Sequence, residues 1–163
     1  MIFVTVGTHE QQFNRLVEYM DKWAAEHDEE VLIQTGYSTY EPKHCKWQKL
    51  FPYQDMSKNV ADARIVITHG GPSSFIVPLQ IGKTPIVVPR KYEYDEHVNN
   101  HQVNFSKAVA ERMGTIIVVE NVDQLGDTIE KYYEIVGEMR NGLESNNRKF
   151  CDEFEKIVEG LVE

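Results

Sequence analysis

The sequence predicts an α/β protein with a doubly wound, Rossmann-like and mostly parallel sheet. Short apolar runs rich in Val and Ile alternate along the chain with segments whose apolar residues repeat at helical spacing. The segments between successive runs are long enough for the right-handed crossovers that parallel strands require. Several runs stop at glycine or at a polar loop, as strands do where they lead into helices. With 163 residues, 41% of them hydrophobic and 26% charged, the composition fits one globular domain.

The first part of the chain contains three predicted strands and two predicted helices. The run "MIFVTV" predicts a buried strand that ends at Gly7, and the runs "VLIQTG" and "RIVIT" repeat the pattern. Apolar residues at helical spacing from Phe13 onward predict a helix that ends near Glu30, and a shorter helix is expected over residues 55–63. Between them, "YSTYEPKHCKWQKLFPY" is polar, aromatic and irregular. It predicts a loop with a short strand near residues 47–51.

The second part continues the alternation. The segment "SSFIVPLQIG" predicts a helix with a hydroxyl residue as its N-cap, and the strand "PIVVP" follows it. The segment "HVNNHQVNFSKAVAERMG" predicts a helix whose first turn is polar, and "TIIVV" predicts the last strand. Apolar residues at helical spacing then continue to the last residues. We therefore expect a single domain over residues 1–163 with a helical tail over about residues 134–163.

Charge and composition exclude several classes of function. The net charge of −9 should make the surface as a whole repel nucleic acid and anionic lipid, so an anionic ligand would have to be captured locally. The two cysteines, Cys45 and Cys151, form no CxxC pair, and no apolar N-terminal stretch has a basic flank. These features favour the reducing cytoplasm. The apolar runs are far shorter than the roughly 20 residues of a transmembrane helix.

The strongest candidate site lies in the stretch "VITHGGPSSF", where a buried strand is expected to end. In parallel sheets, ligands bind at the carboxyl ends of the strands, where helix N-termini supply unpaired N–H groups. Gly70 and Gly71 would let the backbone approach a ligand closely, and Ser73 and Ser74 could cap the helix or bind a phosphate oxygen. His69 would supply a further donor. A plain turn between a strand and a helix is the alternative interpretation.

A second loop of the same character follows the first strand. In "GTHEQQF", Gly7 permits an unusual backbone angle, and Thr8 and His9 offer hydrogen-bond donors. Because the carboxyl ends of parallel strands lie at one edge of a sheet, the two loops should face one crevice. Together they predict a site for a diphosphate.

A third polar cluster, "RKYEYDEHVNNHQ", follows the strand "PIVVP" and contains Glu96, Asn100 and Gln102. Few structural roles require this set, although a capped helix with a solvated first turn remains the simpler interpretation. His97 and His101 are spaced i, i+4, as zinc ligands on a helix can be. The HExxH order is absent, and no third ligand has an obvious spacing.

These motifs resemble one protein family. The segments "FVTVGT", "THGG" with its helix closing in "GKTPIVVP", and "NNHQ" are similar, in this order, to the donor-binding half of family 28 glycosyltransferases. The likeness covers almost the whole chain. The segments "VTVGTHEQQFNRL" and "YDEHVNNHQ" resemble bacterial capsule and exopolysaccharide glycosyltransferase subunits of the PssE/CpsG type. These in turn are similar to the small donor-binding subunit of the split eukaryotic N-acetylglucosaminyltransferase.

The resemblance implies one Rossmann-like half of a GT-B glycosyltransferase, with a site for a UDP-sugar. His9 and Glu96 are candidate donor-binding residues from the loops that contain them. Val77 stands where many relatives carry a ribose-binding glutamate, and Glu96 or Asp95 could replace that glutamate. The catalytic base is unassigned, with His69 and His9 as candidates. The residues that match the family's UDP-sugar site are Gly7, Thr8, His69, Gly70, Gly71, Ser73, Ser74, Asn100 and Gln102.

The implied reaction is transfer of a hexose from the UDP-sugar to a lipid-linked saccharide in capsule or exopolysaccharide synthesis. Helix N-termini and backbone N–H groups would stabilise the leaving diphosphate, so neither a cofactor nor a metal is expected. No DxD-type motif is evident. Rival interpretations are a non-catalytic nucleotide-binding or regulatory module and a small α/β hydrolase, although no G-x-S-x-G elbow is present.

The resemblance also implies a partner. A chain of this length is expected to hold one of two half-domains, with the acceptor bound by a membrane-anchored subunit. The protein would then be cytoplasmic and held at the inner face of the plasma membrane through that subunit. The C-terminal helix is the candidate contact, or else docks on its own domain, because an apolar stripe lies on one face. Its residues are Phe150, Phe154, Ile157 and Leu161, with Cys151 and Val158 beside them.

Overall fold

Six parallel strands form one sheet in the computed structural model, which describes residues 1–143. The strand order is β3-β2-β1-β4-β5-β6, the order of the classical Rossmann fold. Every neighbouring pair is parallel, and the predicted doubly wound fold is confirmed. The strands are β1 (Ile2–Thr5), β2 (Val31–Gln34), β3 (Lys46–Gln48), β4 (Ile65–His69), β5 (Ile86–Val88) and β6 (Ile117–Val118).

Helices connect the strands and follow the last of them. Short 3₁₀ turns precede two of them, at Tyr92–Tyr94 and Val122–Gln124. The helices are α1 (Asn14–Glu26), α2 (Tyr53–Asp62), α3 (Pro72–Gln80), α4 (His101–Met113), α5 (Leu125–Glu130) and α6 (Tyr132–Leu143).

Two predicted helix starts were wrong. Helix α3 begins at Pro72 with Gly71 as its N-cap, so Ser73 and Ser74 lie in the first turn and no hydroxyl caps the helix. Proline suits this position, because its missing N–H would have no partner inside the helix. Helix α4 begins at His101, and the polar residues expected in its first turn form a loop before it.

Apolar side chains cover both faces of the sheet. Ile2 and Val4 of β1 pack with α1, α5 and α6 in one cluster, whereas Phe3 packs with α2 on the opposite face. A third cluster joins α3 and α4 over β5, through residues such as Phe75 and Val109. This burial on alternate faces explains why the central strands are continuous apolar runs.

Within residues 1–143, no helix is long and apolar enough to cross a bilayer. The apolar stripe predicted between Phe150 and Leu161 lies outside the described residues. Its role in partner contact stays a prediction.

Candidate functional site

The candidate site lies where β1 and β4 end side by side in the middle of the sheet. From this pair the chain extends outward in both directions, through β2 on one side and β5 on the other. Such a switch point leaves a crevice at the carboxyl edge, into which the following loops project. Gly7, two residues after the end of β1, contacts His69, the last residue of β4, at this edge.

His69 is the centre of a buried hydrogen-bond network. Its side chain is 6% exposed. Burial, reinforced by the positive charge of Arg90, lowers the pKa of His69 to about 3, so its imidazole is neutral at physiological pH. Nδ1 accepts a hydrogen bond from the Gly71 backbone N–H at 3.3 Å, and Nε2 lies 2.9 Å from the Ser74 hydroxyl.

Gln102 fixes which nitrogen of His69 carries the proton. The amide oxygen of Gln102 accepts the backbone N–H groups of Gly70 and Arg90, each at 3.1 Å. Its NH₂ group therefore faces Nδ1 of His69 at 3.3 Å and donates to it. Because Nδ1 only accepts, the proton of the neutral ring lies on Nε2 and is donated to the Ser74 oxygen.

The Ser74 hydroxyl at the N-terminus of α3 can therefore donate its hydrogen to a ligand. The Ser74 oxygen accepts from His69, so its own hydrogen is not needed for that bond and can be donated to an anion. Ser74 lies in the first turn of the helix, where the helix dipole favours negative charge. The geometry suits the diphosphate group of a nucleotide.

The glycines of both loops make room for protein side chains. A Cβ on Gly7 would lie 2.2 Å from Nε2 of His69, and a Cβ on Gly71 would lie 2.3 Å from Cε1 of the same ring. A Cβ on Gly70 would meet Cβ of Gln102 at 2.8 Å. Gly70 and Gly71 therefore leave space for His69 and Gln102, and the approach of a ligand to their backbone stays a prediction.

The other predicted residues lie closer to solvent. Thr8 and Ser73 are exposed, whereas His9 is half-buried and stacks on His97, with ring centroids 4.7 Å apart. Asn100 is exposed, and its side-chain oxygen accepts the backbone N–H of Tyr92 at 3.0 Å. Thr8 and His9 follow Gly7, which contacts His69, and Ser74 bonds to the same ring, so both loops meet at the buried His69.

His97, one of the two histidines considered as zinc ligands, has another contact in the structure. Nδ1 of His97 accepts the Asn99 backbone N–H at 3.3 Å. The pKa of His97 is lowered mainly by burial and, to a smaller extent, by the charge of the nearby His9. Within residues 1–143, no three His, Cys, Asp or Glu side chains lie close enough to hold a metal ion together.

Glu96 has a structural partner that sequence reasoning missed. Its carboxylate is 1% exposed and receives two hydrogen bonds from Arg15, both at 3.0 Å, in a bidentate ion pair. The Lys91 backbone N–H donates to the same carboxylate at 3.0 Å. The carboxylate oxygens are therefore already paired, and the suggestion that Glu96 binds ribose is corrected. Val77 packs partly buried against the cluster around Phe3.

Arg90 is the second residue that the sequence did not reveal. Its guanidinium is fully buried and donates to the carbonyls of Val6, Gln11, Gln12 and Glu96 over 2.7–3.1 Å. Burial lowers the pKa of Arg90 to about 10, against the opposing effect of Glu96, so the group stays charged at neutral pH. Arg90 holds the loops after β1 and β5 together beneath the crevice. The one available signal was a lone arginine at the end of the buried run "PIVVP".

A groove also runs along α1, and Gln12, Tyr94 and Glu96 from the loops after β1 and β5 contribute to its lining. It has a volume of about 710 Å³ and is lined by residues that include Arg15, Tyr19 and Trp23 of α1. Asp123, after β6, closes another side. None of the predicted site residues except Glu96 contributes to its lining.

Comparisons with known proteins agree on one fold. A model of the glycosyltransferase family 28 C-terminal domain matches residues 1–159. No curated protein matches the chain. Among solved structures, the glycotransferase of kitacinnamycin is 17% identical with a TM-score of 0.58, and the match covers 95% of this chain and 42% of that one.

Two further solved structures give the same result. The calicheamicin glycosyltransferase CalG4 is 15% identical with a TM-score of 0.58, over 97% of this chain and 42% of that one. The spinosyn forosaminyltransferase SpnP is 13% identical with a TM-score of 0.54, over 97% of this chain and 43% of that one. The chain thus spans less than half the length of these proteins. At such identities, the likeness shows a shared fold.

Proposed function

The chain belongs to the family of glycosyltransferase family 28 C-terminal domains, and we propose that it binds the UDP-sugar donor of a glycosyltransferase at the crevice between β1 and β4. One observation carries the proposal. The Ser74 hydroxyl is held by neutral His69 at a helix N-terminus, with its own proton free for an anionic oxygen. The donor's diphosphate is the group that this arrangement fits.

In this proposal some loop residues contact the donor, and others, buried beneath them, hold them in place. Ser73, Ser74 and Thr8 meet the phosphates, and the dipole of α3 stabilises the charge that develops as UDP leaves. His69 and Gln102 act beneath them as positioning residues, since both nitrogens of the imidazole are bonded within the protein. Of the two histidines considered as bases, the half-buried His9 is then the better candidate.

Calorimetric titration with UDP and with uridine tests the proposal. Ser74→Ala should weaken UDP binding about tenfold, the usual effect of removing one hydrogen bond to a charged group. Uridine binding should not change, because uridine has no phosphate. Ser57→Ala is the matched control, because Ser57 is half-buried like Ser74 but lies on α2 and not in the turn between β4 and α3. Equal UDP affinity of wild type and Ser74→Ala would contradict the proposal.

We further propose that the whole activity is transfer of a hexose to a lipid-linked saccharide in capsule or exopolysaccharide synthesis. Support comes from the motifs "VTVGTHEQQFNRL" and "YDEHVNNHQ", which resemble capsule and exopolysaccharide glycosyltransferase subunits. A membrane-anchored subunit would bind the acceptor and hold this chain at the inner membrane face through the apolar residues between Phe150 and Leu161.

A panel of radiolabelled UDP-sugars tests this wider proposal on membranes that contain the co-expressed partner. Transfer of label to lipid that requires both chains, and that persists in EDTA, is the expected result. UDP binding without transfer from any donor would favour the alternative function, a non-catalytic nucleotide-binding or regulatory module.

A further inference from the structure

We propose that the β3 edge of the sheet binds the headgroup layer of an anionic membrane directly. This inference goes beyond donor binding and does not depend on it. The contact surface is here called the β3-edge surface. It consists of exposed aromatic, aliphatic and basic side chains on β3, on its flanking loops and at the start of α2. Its members are Tyr37, Lys43, Lys46, Trp47, Lys49, Leu50 and Tyr53.

Large hydrophobic side chains are concentrated on this surface. Trp47 and Leu50 are each 41% exposed, Tyr37 is 45% exposed and Tyr53 is 82% exposed. All three residues of β3 are exposed, although the central strands β1, β4 and β5 are buried. Contiguous exposed apolar side chains on a folded domain commonly mark an interaction site.

The same surface is locally basic on an acidic protein. Between residues 37 and 53 the sequence has three lysines and one glutamate, whereas the whole chain has a net charge of −9. Lys46 lies 3.2 Å from Glu30, but both side chains are largely exposed, and such pairs are weak. The surface therefore offers positive charge to an anionic partner while the rest of the protein repels one.

Hydrogen bonds hold the aromatic and basic groups side by side. The backbone N–H groups of Thr35 and Gly36 donate to the carbonyls of Gln48 and Lys49 at 3.0 and 2.9 Å, which extends the pairing of β2 and β3. Tyr37 follows directly, and Nζ of Lys49 lies 4.6 Å from the centre of its ring. Trp47 of β3 and Lys49, which follows the strand, are both exposed.

A membrane explains this combination better than the other uses of an edge strand. Lysines on an edge can prevent pairing with another chain, but that role does not require an exposed Trp, Leu and Tyr beside them. Trp and Tyr favour the headgroup region of bilayers, and lysines are attracted by anionic lipid. Nucleic acid is less suitable, because three lysines would neutralise few phosphates on a protein of net charge −9.

Co-sedimentation of the full chain with vesicles tests the inference. Binding should be strong for vesicles of phosphatidylcholine with phosphatidylglycerol, weak for phosphatidylcholine alone, and reduced by salt. Each lysine near an anionic surface strengthens binding about fivefold, so the triple variant Lys43→Gln/Lys46→Gln/Lys49→Gln should bind about 100-fold more weakly. The control with the same net charge is Lys22→Gln/Lys107→Gln/Lys131→Gln, on exposed positions of other elements, and should bind like wild type.

A second variant tests the apolar part without changing charge. Trp47→Ser/Leu50→Ser should weaken binding to the anionic vesicles at least about tenfold, and brominated lipids should quench Trp47 but not the buried Trp23. Circular dichroism checks that each variant is folded. Equal binding to neutral and anionic vesicles, or equal loss in the control triple variant, would overturn the inference. So would binding of single-stranded RNA with no binding to vesicles, which would assign the surface to a nucleic acid.

Discussion

The turn between β4 and α3 and the edge strand β3 use polar residues in opposite ways. In the turn, His69 is 6% exposed and each ring nitrogen is bonded within the protein. On the edge, Lys49 and Trp47 face solvent, and no buried network holds them. Polar residues near a strand end therefore indicate function in two distinct ways, by building a rigid support for a few exposed donors or by forming the contact surface itself.

The largest contrast in stability should come from the support beneath the crevice. Arg90→Met would leave four backbone carbonyls without their buried donor. We expect a loss of about 3–5 kcal/mol in the free energy of unfolding, as for one broken partner of a buried charged network. Arg112→Met, at an exposed position on α4, should change it by less than about 0.5 kcal/mol. Urea denaturation measures both variants. Equally small effects would show that the bonds from Arg90 to the loops do not stabilise the fold.

Glycine substitutions separate backbone strain from contact with His69. Gly7 has φ +74° and Gly82 has φ +79°, but a Cβ would meet His69 only at Gly7. Gly82→Ala should cost about 1–2 kcal/mol of strain, and Gly7→Ala should cost about 1–3 kcal/mol more, as overpacked sites do. In a His69→Ala background the extra cost should disappear, which a double-mutant cycle measures. A cost at Gly7 that is unchanged by His69→Ala would contradict the account of the turn.

The sequence predicted the fold better than the partners in the site. The strands at the centre of the sheet are buried on both faces, so β1, β2, β4 and β5 appear as nearly continuous apolar runs. Helix α4 was predicted four residues too early, because in the loop before it the Asn99 side chain accepts the His101 backbone N–H. Such side-chain bonds compete with a helical turn and leave no periodic signal.

The partners of the buried charges were less predictable for a physical reason. Arg90 donates to backbone carbonyls, which every residue has, so no residue type marks them. Arg15 and Glu96 form an ion pair across 81 positions of sequence, and only the fold brings them together. The motifs singled out His69 and Gln102, but only the structure shows that they bond to each other and that His69 bonds to Ser74.

The pH dependence of the free energy of unfolding tests whether His69 is buried as a neutral ring. Because the folded pKa of His69 is about 3, below the ordinary value of 6.5, the unfolded chain binds a proton there that the folded chain does not. The contribution of neutral His69 to stability is therefore complete above pH 6.5 and is lost as the pH falls towards 3. The difference between wild type and His69→Gln should change by about 1.4 kcal/mol per pH unit in this window. Parallel curves from urea denaturation at several pH values would show that His69 is not buried as a neutral ring.

The smallest expected effect lies on the β3-edge surface. Tyr53 is 82% exposed, so Tyr53→Ala should change the free energy of unfolding by less than about 0.5 kcal/mol. Phe51→Ala, two residues earlier in the chain, should cost clearly more because Phe51 packs against the buried Phe3 ring at a centroid distance of 5.9 Å. Thermal denaturation compares the two variants. A large loss at Tyr53 would mean that this surface supports the fold.

The proposed diphosphate site is the crevice above His69, and the groove of about 710 Å³ along α1 is the alternative. The most direct measurement is the change in backbone amide NMR shifts on addition of UDP, compared with uridine. The account predicts that UDP shifts the amides of Thr8, Ser73 and Ser74 most, and that uridine leaves these three nearly unchanged. Largest shifts at Tyr19 and Trp23 in the α1 groove, or equal shifts with uridine, would contradict it.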